Sequence, residues 1–348
     1  MAHRQRIVPA LRRVWFALLV SAIAVVFSEK LYWYVTGYGF FDLLIGYFFP
    51  SYMTLFLIDT FRVRRLAPLF LAAAVFGFVA EGVLVGTIYE GGPLGLFHIS
   101  YTPLAWHAPL TILFGWHWLG RRLATGSWRG LVVGCALVGL LWGLWAMAWW
   151  LPENAADPAL LAQGARLGQW PVVDFARHAF LFTAVVATSH WLLDRGGRLD
   201  TFQSSRTELV LVAAGLLFFF TGVLAATPWA PVKLMPILTI TLVGLWKNRR
   251  HEPPGSLIGE HSCPARPVAL LGIFAMPAAA VAVYAAASVL APPAGVITLI
   301  TGFGLFYGLG ILGWLFYLVA LILTIWRRNR DIIDPATNLD NWPEFSNT

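Results

Sequence analysis

Five ionisable residues stand inside stretches that are otherwise apolar: Glu81, His107, Asp174, Arg177 and His178. On insertion scales a charge at the centre of a bilayer costs roughly 2.5–3.5 kcal/mol, so each of these asks for a function or a partner. Three chemistries suit the set. A membrane carboxylate that titrates near neutral pH can load and release protons, with Glu81 as carrier, His107 as relay and Arg177 meeting an anionic group of a substrate. A metal enzyme needs about three His, Asp or Glu ligands and an open position for water. His107, His178 and Glu81 are its candidates, with Asp174 as the alternative carboxylate. The third use is structural, polar contacts that set helix register; Asp174, Arg177 and His178 have the i, i+3, i+4 spacing of an intrahelical pair.

Glu29, Asp42, Glu90 and His98 fall near the predicted outer ends of the same stretches and stand as peripheral members of one outward-facing polar cavity. Snorkelling to water explains Glu29, Asp42 and Glu90 equally well. No HExxH or HxxxH pair, nucleotide-binding glycine loop, nucleophile elbow or haem-attachment motif accompanies them.

The elements that position these residues follow from composition. Apolar residues make up 59% of the 348 and charged residues 12%, against about 45–50% and about 25% in soluble proteins. A soluble fold could not hide that apolar surface, so the expected class is an all-α, polytopic integral membrane bundle. A span needs roughly 20 apolar residues. Such runs occur at 14–28, 39–59, 67–89, 101–120, 129–151, 171–193, 208–228, 231–246, 267–291 and 297–326, which predicts ten transmembrane helices. The first is short, the eighth carries Lys233 and two prolines, and the last is interrupted by Gly302, Gly304, Gly308 and Gly310. The basic start and apolar run of the first resemble a secretion signal; we read it as an uncleaved helix.

Lys and Arg concentrate in alternate loops, as cytoplasmic loops require. They are Arg4, Arg6, Arg12 and Arg13; Arg62, Arg64 and Arg65; Arg121, Arg122 and Arg129; Arg195, Arg198 and Arg206; Lys247, Arg249, Arg250 and Arg266; and Arg327, Arg328 and Arg330. Only Lys30, Arg166, Arg177 and Lys233 lie elsewhere. This alternation predicts N- and C-termini both in the cytoplasm of a cell membrane, inner or plasma. It also accounts for the net charge of +7 through insertion and anionic headgroups, so no nucleic-acid partner is expected.

Aromatics at Tyr32, Trp33, Tyr34, Tyr38, Tyr89, Tyr101, Trp149, Trp150 and Trp170 mark an outer interfacial belt; Trp118, Trp128, Trp191, Trp246 and Trp326 mark an inner one. Most of the seventeen tryptophans read as anchors. Asp59 is expected to pair locally with Arg62, and His117 and His190 to lie near the inner interface. The glycine-rich loop 90–98 is too apolar to be fully solvated and is expected to dip back into the protein. The pairs Gly82/Gly86, Gly130/Gly134 and Gly304/Gly308 are candidate close helix contacts. Loop 152–170, with a short surface helix, divides a single membrane domain of residues 1–330 into five plus five helices; residues 331–348 form a solvated tail. Cys135 and Cys263 sit in settings too different for a disulfide.

The expected function is transport of a small molecule, proton-coupled if Glu81 titrates, with the bilayer and an unidentified small molecule or lipid as partners and no cofactor. The alternative is an intramembrane enzyme acting on a lipid or isoprenoid with a zinc-like divalent ion. A non-catalytic scaffold is the third.

Overall fold

Apolar sequence of this length becomes helix because hydrocarbon offers no partner for a free backbone N–H or C=O. The computed structural model describes residues 2–32, 39–151, 171–195, 199–260 and 267–326. It is helical, with no strand among the described residues. The surface helix expected in loop 152–170, Cys263 and the tail lie outside the described residues.

The chain runs through α1 (Ala2–Val25), continued as π1 (Val26–Lys30), then α2 (Phe40–Thr60) and α3 (Leu66–Val79), continued as π2 (Ala80–Val85). After α4 (Phe97–Tyr101) come π3 (Pro103–Trp118), α5 (Leu119–Thr125) and α6 (Trp128–Ala146). The second half holds α7 (Val172–Arg195), α8 (Arg206–Ala226), α9 (Ala230–His251), α10 (Ala275–Leu290), π4 (Leu299–Tyr307) and α11 (Gly308–Ile325). Among the described residues nine helices are long and apolar enough to cross a membrane. The expected span at 101–120 is not among them. It is the π3 segment, where Pro103, Pro109, His107, His117 and three tryptophans dilute the apolar run.

The helix α3 is the axis of the bundle, buried over nearly its whole length between α2, π3, α9 and α11. Along α8 the pattern is reversed: Val210, Leu211, Leu217 and Phe218 are exposed. A helix that is apolar all round and exposed on one side is a lipid-facing helix. Helices from both halves of the sequence share the interior, since α10 packs on α6 and α9 and α11 pack on α3.

The closest backbone approach is at α6 and α10. A Cβ on Gly139 would stand 2.1 Å from the Met276 carbonyl oxygen, and one on Gly143 would stand 2.6 Å from that of Ala280. This four-residue glycine pair works as the small-residue seam of a membrane helix pair. Of the expected pairs, Gly82 and Gly134 do abut side chains of other elements, whereas Gly304 and Gly308 meet nothing closer than their own helix.

At one end of the bundle the basic segments are tied together. Arg13 bridges to Glu208 at 2.6 Å, and Glu208 also accepts from Tyr52 at 2.8 Å. The same carboxylate closes a capping box with Ser205 at the start of α8. Arg62 donates to the Glu252 carbonyl at 3.0 Å, and Arg65 meets the Glu252 carboxylate at 3.3 Å. The expected Asp59–Arg62 pair is not what forms: Arg62 turns to Glu252, and Asp59 accepts from Ser256 at 2.8 Å. Guanidinium groups lie over tryptophan rings at this end, with Arg250 3.6 Å from Trp246 and Arg195 4.2 Å from Trp191. Such stacking suits an interfacial belt.

Candidate functional site

At the opposite end the helices lose α-helical regularity. The segments π1, π2, π3 and π4 bond i→i+5, a geometry seen in well under 1% of residues and often at functional sites. Local sequence gives part of the reason. Pro103 and Pro109 bring no N–H to the ladder of π3, and the His107 N–H reaches the Thr102 carbonyl, five residues back, at 2.8 Å. At the end of π2 the chain turns through Gly86 at φ +92°, a left-handed conformation that glycine adopts without strain. This turn carries Thr87 back over Glu81.

The π segments bring a polar network together. His107 Nε2 hydrogen-bonds Glu81 Oε1, and Thr87 donates its hydroxyl to Glu81 Oε2. His107 Nδ1 lies 2.8 Å from Ser28 Oγ, which lies 3.0 Å from Thr111 Oγ1. The next residue on π1, Glu29, accepts from the Tyr47 hydroxyl at 2.6 Å. His107 is 1% exposed and Glu81 6%, so their polar atoms depend on each other rather than on bulk water.

The network forms one side of a cavity of about 560 Å³. Glu29, Glu81, Glu90, His98 and His107 line it with Ser28 and Thr87. The rest of the lining is largely aromatic: Tyr32, Tyr101, Trp106, Trp145, Trp149 and Phe306. Tyr32 sits 5.0 Å from Trp106 and 4.9 Å from Trp145 between ring centroids, and Tyr101 sits 3.9 Å from Phe306. The indole N–H groups of Trp106 and Trp145 are held by the carbonyls of Phe27 and Tyr32 at 2.8 and 2.9 Å, which fixes both rings. Tyr32 and Tyr101 hydrogen-bond through their hydroxyls, and burial raises the Tyr32 phenol above its ordinary value, keeping it neutral. At the rim His98 and Glu90 stand 3.4 Å apart.

The expected site residues divide. Glu81 and His107 meet. Glu29, Glu90 and His98, expected at the periphery, line the same cavity. His178 does not: it is buried on α7, donates from Nε2 to the Lys30 carbonyl at 2.8 Å and packs edge-on to Phe182. Asp174 and Arg177 pair with each other at 3.3 Å on the exposed side of α7, and neither lines the cavity. Asp42 accepts from the Gly39 N–H at 3.1 Å and caps α2. The metal triad expected from His107, His178 and Glu81 is therefore not assembled. Among the described residues no group of three or more His, Cys, Asp or Glu is placed to hold a metal ion. His190, expected at the interface, is buried and bonded to the Gly115 carbonyl at 2.8 Å.

Sequence reasoning missed Ser28, Tyr47, Thr87 and Thr111, hydroxyls whose only signal was their place in apolar runs. It also assigned Tyr32, Tyr101 and Trp149 to an interfacial belt, whereas they wall the cavity. The loop 90–98 does fold back: Gly92 accepts from Lys233 Nζ at 3.0 Å, Leu96 accepts from Trp314 at 3.1 Å, and Phe97 packs on Phe306. No protein-family model, curated protein or solved structure matches this chain.

Proposed function

We propose that the protein is a proton-coupled membrane carrier of a small molecule, with the cavity as its binding site and the Glu81–His107 pair as its proton site. The observation that carries this reading is the pair itself: a carboxyl and an imidazole hydrogen-bonded to each other, buried, at the wall of a cavity large enough for a small organic molecule. By the charge rule for loops, the Arg13, Arg62 and Arg250 end is cytoplasmic and the cavity faces the outer half of the membrane.

The hydrogen bonds define two protonation states without moving a heavy atom. In one, Ser28 donates to His107 Nδ1, His107 donates from Nε2 to the Glu81 carboxylate, and the pair carries one negative charge. In the other, a proton sits on Nδ1, His107 donates to Ser28, and the pair is neutral. Ser28 reverses its role by handing its own proton towards Thr111, since either hydroxyl can donate. Loading one proton thus changes the charge of the cavity wall by one unit. The other titratable groups facing the pair are Glu29 with Tyr47, the rim pair Glu90 and His98, and Tyr32 and Tyr101. Nearby Lys30 lies over Phe182, and Tyr89 and Lys233 are committed to the Gly82 and Gly92 carbonyls.

The test is proton movement in proteoliposomes loaded with a pH-sensitive dye, challenged with a panel of small cations, anions and neutral solutes. A solute-dependent pH change that is lost in Glu81→Gln supports the carrier. Solute flux without proton movement sinks the coupling, and recovery of a chemically altered solute sinks transport in favour of an enzyme.

A further inference from the structure

We infer that the cavity takes an organic cation, an alkylammonium or a similar lipophilic cation, and that this ligand competes with the proton at Glu81–His107. The inference rests on the carrier reading above and supplies its substrate class.

Three observations converge. The first is charge. The cavity is lined by three carboxyl groups, Glu29, Glu81 and Glu90, and by no lysine or arginine among the described residues. The guanidinium that sequence offered for an anionic substrate, Arg177, lies exposed on α7 and paired with Asp174. An anion entering here would meet three carboxyl groups, with only the imidazoles of His98 and His107, each already paired with a carboxyl, to offset it among the described lining residues.

The second is the aromatic part of the lining. Tyr32, Trp106 and Trp145 stand within 4.9–5.6 Å of one another, with Tyr101 beside them. Ring faces carry negative electrostatic potential, and clustered tryptophan and tyrosine faces are the usual seat for alkylated ammonium groups. Aromatic walls alone would serve any apolar ligand, and carboxylates alone would serve any cation or water. Together they select a cation whose charge is carried on an apolar body.

The third is the proton arithmetic of the pair. An organic cation binds best when Glu81–His107 carries its negative charge, so wherever the pair holds its extra proton, on Nδ1 of His107, binding releases it. Charge balances: one cation enters the site and one proton leaves it. The two ligands exclude each other, which is the condition for exchange rather than co-transport.

Isothermal titration of the detergent-purified full-length protein tests this with three probes: benzyltrimethylammonium, its neutral carbon isostere neopentylbenzene, and phenylacetate. The expected result is binding of the ammonium at least about tenfold tighter than either of the others. Its affinity should rise with pH by up to about tenfold per unit while one proton is released. Glu81→Gln and Trp145→Leu, checked for folding by thermal melting, should each weaken the ammonium about tenfold or more. Glu90→Gln at the exposed rim keeps the test valid should the buried variants not fold, and should weaken the ammonium severalfold. Equal or tighter binding of the anion or the neutral isostere, or no binding of the ammonium, overturns the inference. Charge-selective binding without proton release keeps the cation site and overturns the competition with the proton, whereas the carrier reading fails separately, by the absence of solute flux in proteoliposomes.

Discussion

Glu81 and His107, 26 residues apart on two different π-helical segments, meet through Oε1 and Nε2 in a setting almost closed to water. Neither finds a comparable partner within its own helix. The stability of each therefore depends on the other, and on the crossing of α3 with π3 that sets them face to face. That crossing is tight because Gly77 lies against Pro103.

Removing both members of the pair should cost less than the two single losses added together. His107→Ala leaves Glu81 buried without its imidazole partner, a loss of about 1–3 kcal/mol. The double variant Glu81→Gln, His107→Ala should be less destabilised than the single effects summed, with a coupling of about 0.5–3 kcal/mol. Thermal unfolding of the four proteins in one detergent measures this, and strict additivity would show that the pair does not interact.

His178 should behave as a packing residue. His178→Ala removes the hydrogen bond to the Lys30 carbonyl, for a loss of about 1 kcal/mol, together with contact on Phe182. Ammonium binding and proton release should stay within about twofold of the wild type. A folded His178→Ala protein with no proton response would place His178 in the site after all.

Glycine substitutions should separate the seam from the span. A Cβ at Gly139 meets the Met276 carbonyl at 2.1 Å, whereas one at Gly304 meets nothing nearer than 3.5 Å. Gly139→Ala should destabilise by about 1–3 kcal/mol through forced separation of α6 and α10. Gly304→Ala should be neutral or slightly stabilising. Melting temperatures of the two variants decide it, and equal shifts would contradict the packing described.

Glu208 should hold its end of the bundle together. It receives Arg13, Tyr52 and the Ser205 backbone at once. Glu208→Ala should cost about 1–2 kcal/mol, combining a lost cap with a lost, mostly buried ion pair. Arg13→Met should cost less, because the cap survives. The order of the two melting temperatures is the readout.

Sidedness follows from the same ends. A cysteine placed at Glu90 should react with a membrane-impermeant maleimide on intact cells, and one at Arg250 only after permeabilisation, in a background lacking the two native cysteines. The reverse pattern would invert the topology.

The membrane class, the positions of most spans and the grouping of basic residues were legible in the one-dimensional pattern. Hydropathy and loop charge are summed along the chain, and a lipid environment imposes them helix by helix. Glu81 and His107 were legible for a related reason: an ionisable group in an apolar run is costly wherever its helix packs. What a residue faces was not legible. Tyr32 and Tyr101 have the composition of interfacial anchors and form the cavity wall, while Asp174 and Arg177 have the appearance of site residues and pair on an exposed helix surface. That choice depends on which helix faces meet and on how far the four π segments turn their side chains from α-helical positions. Both are decided by long-range packing such as Gly77 on Pro103 and Gly139 on Met276. Composition and hydropathy alone require that polar residues be buried among apolar helices; which of them share a cavity is set by packing, because a helix of known register can still turn any face toward its neighbours.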